Sequence, residues 1–216
     1  MSELAGLGLG FIYIVVVIVI AMSLAKFPYE ISRTFAHIMT ANWWFIASYT
    51  MASYWVVMAT PIFFILFNIL NAYFNWIPCL NSKSRTSNLG TVYYAFSVFI
   101  LLQLFFFDPN LKIAAGLGIL VMGYGDGFAA LIGQLLGKHT YTIFKGHKTI
   151  EGSLAMWVVS AIVVYGYLSL TTPVVSLWMV LMIPILSTLI EAISPYGLDN
   201  LFVPLITALI YFVYIF

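Results

Sequence analysis

The sequence predicts an all-α, polytopic integral membrane bundle of about eight transmembrane helices, with the N-terminus outside. Three observations carry this expectation. Charged residues make up only 7% of the 216 residues, where a soluble domain carries about a quarter. Hydrophobic residues make up 63%, and the mean hydropathy is +1.07. The apolar runs are continuous rather than alternating, which favours helices over a barrel. The same composition excludes a disordered chain. The single cysteine, Cys79, excludes a disulfide framework. A net charge of +1 gives no reason to expect nucleic acid as a partner.

A helix crosses the hydrocarbon with roughly 20 residues, so eight helices use about 160 and leave little for loops. One membrane domain over residues 1–216 is therefore expected, with no extramembrane domain. The apolar runs place spans near 6–24, 38–56, 58–76, 91–107, 111–136, 151–169, 174–193 and 201–216. The first ends in Ser23-Leu24-Ala25, which resembles a cleavage site. Its n-region has Glu3 and neither Lys nor Arg, so it reads as a retained anchor. The second and third form a charge-free stretch divided by Pro61 and a few small polar residues. Polar stretches at 77–90 and 137–150 separate the later spans.

Counted this way, the odd-numbered connections hold Lys26, Arg33, Lys83, Arg85, Lys138, Lys145 and Lys148, seven of the eight basic residues. The even side holds only Lys112. The positive-inside rule makes the odd side cytoplasmic. Glycine-rich helices leave room for a homodimer.

Ionisable residues at membrane depth are costly and are functional candidates for that reason. Glu30, Arg33 and His37 share a helical face, as interfacial residues or as an anion-binding edge. Asn68, Asn71 and Asn75 repeat that spacing, as interhelical hydrogen-bonding residues or as a site wall. Asp126 lies within an apolar run, and Asp126, Ala130, Gly133 and Gly137 share a face. Close helix packing explains the glycines but not the aspartate. A carboxylate there can hold a hard cation such as Mg²⁺. Gly125 and Gly127 are expected to let that cation and its ligand approach the main chain.

Beyond Asp126 comes a loop with Lys138, Lys145 and Lys148, and then a helix starting near Thr149 with Glu151 in its first turn. Lysines and a helix N-terminus suit phosphate. No GxxxxGK[ST] or GxGxxG motif occurs. Glu191 and Ser194-Pro195-Tyr196-Gly197-Leu198-Asp199-Asn200 read as turn and capping chemistry, or as metal and hydroxyl handling. Asp126, Glu151, Glu191 and Asp199 are four of the seven acids, and all fall on the lysine-bearing side.

These residues resemble a known signature. Gly125-Asp126, Ala129, Gly133, Gly137-Lys138 and Lys148-Thr149-Ile150-Glu151-Gly152-Ser153 are similar to the central motif of the CTP-dependent lipid kinases. That family includes dolichol kinase, phytol kinase and fungal CTP-dependent diacylglycerol kinase. Glu30 to His37 resembles its early segment, with Thr34 where a lysine is common. Glu191 to Pro204 resembles its late Glu…Gly-x-Asp-Asn-x-x-x-Pro segment.

The resemblance implies transfer of the γ-phosphoryl group of CTP to a membrane lipid alcohol at the cytoplasmic face. The alcohol would be a polyprenol, a phytol-like alcohol or diacylglycerol. On this reading Asp126 binds Mg²⁺ with Glu151 or Asp199. Lys138 and Lys148 hold phosphates, aided by Thr149, Gly152 and Ser153. Arg33 and His37 orient phosphate or substrate, and Asp199 or Glu191 handles the hydroxyl proton. Asn71 and Asn200 are polar supports. A prokaryotic plasma membrane is the expected location.

Phosphatidate cytidylyltransferases share the central motif, but their C-terminal Gly-His-Gly-Gly…Asp-Arg segment has no counterpart after His147. A transporter or lipid-binding protein is the remaining alternative. It predicts polar residues on both sides of the membrane, and the even side offers little beyond Asp108 and Lys112.

Overall fold

The structure, a computed structural model, describes residues 2–27, 29–80, 89–144 and 146–216. The expected roles of Lys83, Arg85 and Lys145 lie outside the described residues, as does the Glu30 side chain. In chain order the described elements are α1 (Glu3–Ser23), α2 (Tyr29–Ala41), α3 (Trp43–Thr50), α4 (Tyr54–Phe74), α5 (Gly90–Phe105) and α6 (Lys112–Leu120). A π-helical turn (Val121–Asp126) follows, then α7 (Gly127–Leu136), β1 (Thr140–Ile143), β2 (Gly146–Thr149), α8 (Ile150–Thr171), α9 (Leu177–Ile193) and α10 (Asp199–Ile215). The protein is an all-α polytopic membrane bundle.

Among the described residues, four stretches are long and apolar enough to cross a bilayer: Glu3–Lys26, Tyr54–Phe74, Lys112–Leu136 and Ile150–Thr171. Gly90–Phe105, Leu177–Ile193 and Asp199–Ile215 are shorter apolar helices. Large side chains such as Val15, Leu66, Leu104, Ile162 and Val213 stand exposed on the outside. Water would penalise that surface, whereas hydrocarbon accepts it.

The stretch Lys112–Leu136 is the central post. Its most apolar window is 67% buried, against 28% in each of the other three long stretches. Small residues make this possible. A side chain at Gly118 would strike the backbone of Pro204, and one at Gly123 would strike Ala41. Around the post pack Trp44, Leu101 and Met156, all nearly or fully buried.

Two features depart from the sequence expectation. The span expected at 38–56 is a two-part helix over 29–50, jointed at Asn42. Asn42 accepts a hydrogen bond from the Tyr124 hydroxyl at 2.8 Å, which ties the joint to the central post. Apolarity alone started this helix too late, because its first turns carry Arg33 and other polar residues that face inward. The loop at 138–148 also contains an antiparallel hairpin, with Tyr141 opposite Lys148 and Thr142 opposite His147. Its first strand, Thr-Tyr-Thr-Ile, is β-branched and aromatic, the composition that strands favour.

Candidate functional site

The polar residues of α2, the central post, β2, α9 and α10 meet in a cavity of about 560 Å³. Asp126 closes the π-helical turn, where the widened backbone interrupts the regular helical ladder. Ten residues separate it from Leu136, so it lies about 15 Å below that end of the helix. Glu191 stands in the last turn of α9, and Asp199 opens α10. The segment between them turns through Tyr196 and Gly197, with φ of 59° and 80°. A glycine suits the second of these left-handed positions.

Carboxylate oxygens of Asp126, Glu191 and Asp199 lie within 4.8 Å of one another. Lys148 reaches in from β2, its Nζ donating to Glu191 Oε1 at 2.5 Å and to Asp199 Oδ2 at 2.9 Å. Burial disfavours the Lys148 ammonium. The carboxylates of Asp199, Glu191 and Asp126 outweigh that penalty and hold its pKa above the ordinary lysine value. The side chain is therefore charged at neutral pH. Asn200 steadies Asp199 by donating both its Nδ2 and its backbone N–H to Oδ1, each at 3.0 Å. Glu191 Oε2 is buried without a hydrogen-bond partner. Three clustered acids with one oxygen still unpartnered fit a hard divalent cation, which takes oxygen ligands.

Arg33 lines the same cavity from α2. His37, one turn on, holds Nε2 3.7 Å from Asp126 Oδ2. At the start of α8, Thr149 caps the helix by accepting from Gly152 N at 3.1 Å. Thr149, Gly152 and Ser153 line the cavity, and Ser153 also hydrogen-bonds the Tyr141 hydroxyl.

Other expected residues lie elsewhere. Glu151 is not with Asp126: it accepts from the backbone N–H of His139 and pairs with His139 Nδ1 at 2.7 Å, joining α8 to the segment before β1. Its place in the first helical turn points it away from the three acids. Lys138 is exposed and does not line the cavity. Gly125 and Gly127 do not open the main chain to a cation. A side chain on Gly125 would meet Ser160 and Met156 of α8, and one on Gly127 would meet Ile38 of α2, so both serve helix packing. Asn71 is fully buried and caps the end of α4, accepting from Ile77 N at 2.7 Å.

The structure adds Gln134 and Tyr196 to the cavity wall. Gln134 was readable, since it follows Ala130 by one turn on the face that bears Asp126. Tyr196 gave no signal beyond its neighbours.

The sequence is 38% identical over 189 residues to a phytol kinase of Synechocystis sp. (strain ATCC 27184 / PCC 6803 / Kazusa), an alignment covering 87% of this chain and 80% of that one. It is 34% identical over 108 residues to a dolichol kinase of Schizosaccharomyces pombe, covering 48% of this chain and 20% of that one. No family model matches the sequence. No solved structure matches it either. This chain belongs to the phytol kinase family of lipid kinases.

Proposed function

We propose that this protein transfers the γ-phosphoryl group of CTP to the hydroxyl of a membrane lipid alcohol. The acceptor is a polyprenol, a phytol-like alcohol or diacylglycerol, and the site opens to the cytoplasm. The observation that carries the reading is the meeting of Asp126, Glu191, Asp199, Lys148 and Arg33 in one cavity of a bundle whose relatives are lipid kinases.

Phosphoryl transfer asks a protein mainly for positioning and charge neutralisation. Asp126, Glu191 and Asp199 would hold Mg²⁺, which when bound neutralises charge on the phosphates. Lys148 and Arg33 face the same space from opposite elements and hold phosphate oxygens. Asn200 fixes the rotamer of Asp199. The hairpin and the Ser194–Gly197 turn form the walls against which the nucleotide lies. The location of Arg33, Lys148, Lys26 and Lys138 toward one end of the bundle supports a cytoplasmic opening.

Purified protein in detergent, given γ-labelled CTP, Mg²⁺ and a panel of lipid alcohols, is expected to label one class of lipid and release CDP. Excess unlabelled CTP should suppress the label more than excess ATP. No labelled lipid from any alcohol would overturn the reading. CDP-lipid and pyrophosphate from phosphatidic acid would replace it with cytidylyl transfer.

A further inference from the structure

A second, narrow cavity, of about 110 Å³, lies among α1, α2, α4 and α5. It adjoins the carboxylate cavity, because Arg33 and Asn200 line both. Most of its wall is apolar, with Ile14, Ile18, Phe64, Phe67 and Val98.

The polar residues of that wall set it apart from ordinary packing. Among the described residues, six buried side-chain polar atoms have no hydrogen-bond partner. Four of them, His37 Nε2, Trp43 Nε1, Thr60 Oγ1 and Thr91 Oγ1, belong to residues lining this one cavity. Trp43 is 4% exposed and Thr60 is 2% exposed, so water at the surface does not serve them. A core that closed on itself would satisfy such atoms or exclude them. Their gathering on one cavity marks a space shaped for an occupant.

The occupant's polar end is indicated by His37. Its ring packs against Tyr94 at 4.9 Å between centroids, and its unpartnered Nε2 stands 3.7 Å from Asp126. Arg33 and Thr40, seven residues apart on α2, both line the cavity and are about 10 Å apart along the helix.

We propose that this cavity is the acceptor site, and the proposal rests on the kinase reading of its neighbour. A lipid alcohol seats its hydroxyl against His37 Nε2 and lays the first part of its chain among α1, α4 and α5. As the alcohol oxygen bonds to the γ-phosphorus, its proton passes to an oxygen of the phosphoryl group being transferred. The bond from that phosphorus to the bridging oxygen breaks, and CDP leaves with the oxygen.

The test uses the wild-type protein in membranes and a long-chain alcohol bearing a photoreactive diazirine in mid-chain. Crosslinks are expected on cavity residues such as Phe64, Phe67 and Val98, and excess phytol should compete for them. Crosslinks confined to outward residues such as Leu66 and Leu104, or indifferent to phytol, would overturn the proposal. In a second arm, Ala95→Phe narrows the cavity. It is expected to raise KM for the alcohol about tenfold while KM for CTP stays within about twofold. An equal rise in both would count against a separate acceptor cavity. If no alcohol is phosphorylated at all, the kinase reading fails, and the crosslink map alone then decides this one.

Discussion

The two ends of the bundle treat charge in opposite ways. At the end that carries Asp108 and Lys112, charged groups complete the chain's own turns. Lys112 Nζ donates to the Ser48 carbonyl at 2.6 Å and lies over the Phe106 ring at 4.3 Å. Asp108 Oδ1 accepts from Asn110 N at 2.8 Å, and Glu3 Oε2 accepts from Ser53 N at 3.1 Å. At the other end Asp126, Glu191 and Asp199 face one another around Lys148, and Glu191 Oε2 is left without a partner. Lys112 and Asp126 even share one continuous helical stretch. The contrast teaches that scarcity of charge in a membrane protein is less informative than what each charge is bonded to.

Substitutions can break this contrast. The largest effect is expected from Asp126→Asn, which should lower kcat about 10³-fold, the scale of losing a preorganised electrostatic contact. Its melting temperature in detergent should stay at the wild-type value, and full activity would remove Asp126 from the site. Lys148→Met leaves two buried acids unpaired. It should lower kcat about 10²-fold and cost roughly 3 kcal/mol of stability. Adding Glu191→Gln and Asp199→Asn should restore the melting temperature without restoring activity. If the triple variant melts as early as the single one, the acids are not the source of the strain.

His37→Gln is expected to lower kcat about 10²-fold, the scale of misplacing a reacting hydroxyl, with KM for CTP unchanged. A rise in KM for CTP instead would place His37 on the nucleotide. At the opposite end, Lys112→Met should cost about 1–2 kcal/mol from the lost hydrogen bond and ring contact. Transfer activity should be unaffected, and a large fall would mean that the two ends are not separable as described. Last, in a Cys79→Ser background, a cysteine at Lys138 should react with an impermeant maleimide only from the cytoplasmic face, and one at Asp108 only from the other. The reverse pattern would invert the proposed orientation.

Much of the bundle was legible because hydropathy marks lipid-facing helices directly. The stretch expected at 111–136 and the helix expected at 151–169 fall within a few residues of Lys112–Leu136 and Ile150–Thr171. Asp126, Glu191 and Asp199 were legible as candidates because an acid in so apolar a chain stands out. What sequence could not supply was direction. Glu151 and Asp126 look alike as isolated acids, yet one turns outward to His139 and the other inward. Gly125 and Gly127 flank the aspartate in sequence but face α8 and α2 in space. The beginning of α2 was missed because inward-facing polar residues lower hydropathy just as solvent-facing ones do.

The π-helical turn at Val121–Asp126 has a consequence for how the central helix can vary. A turn of this kind holds one residue more than the α-helical turn it replaces. Removing that residue would rotate everything before it by about 100° relative to everything after it. Ile119, on the earlier half, lines the apolar cavity, whereas Asp126, Ala130 and Gly133 line the polar one. The surplus residue thus acts as a phase shifter. It lets a single rod keep two faces in register with two chambers, and single-residue insertions or deletions in this turn should be tolerated far less than substitutions on either side.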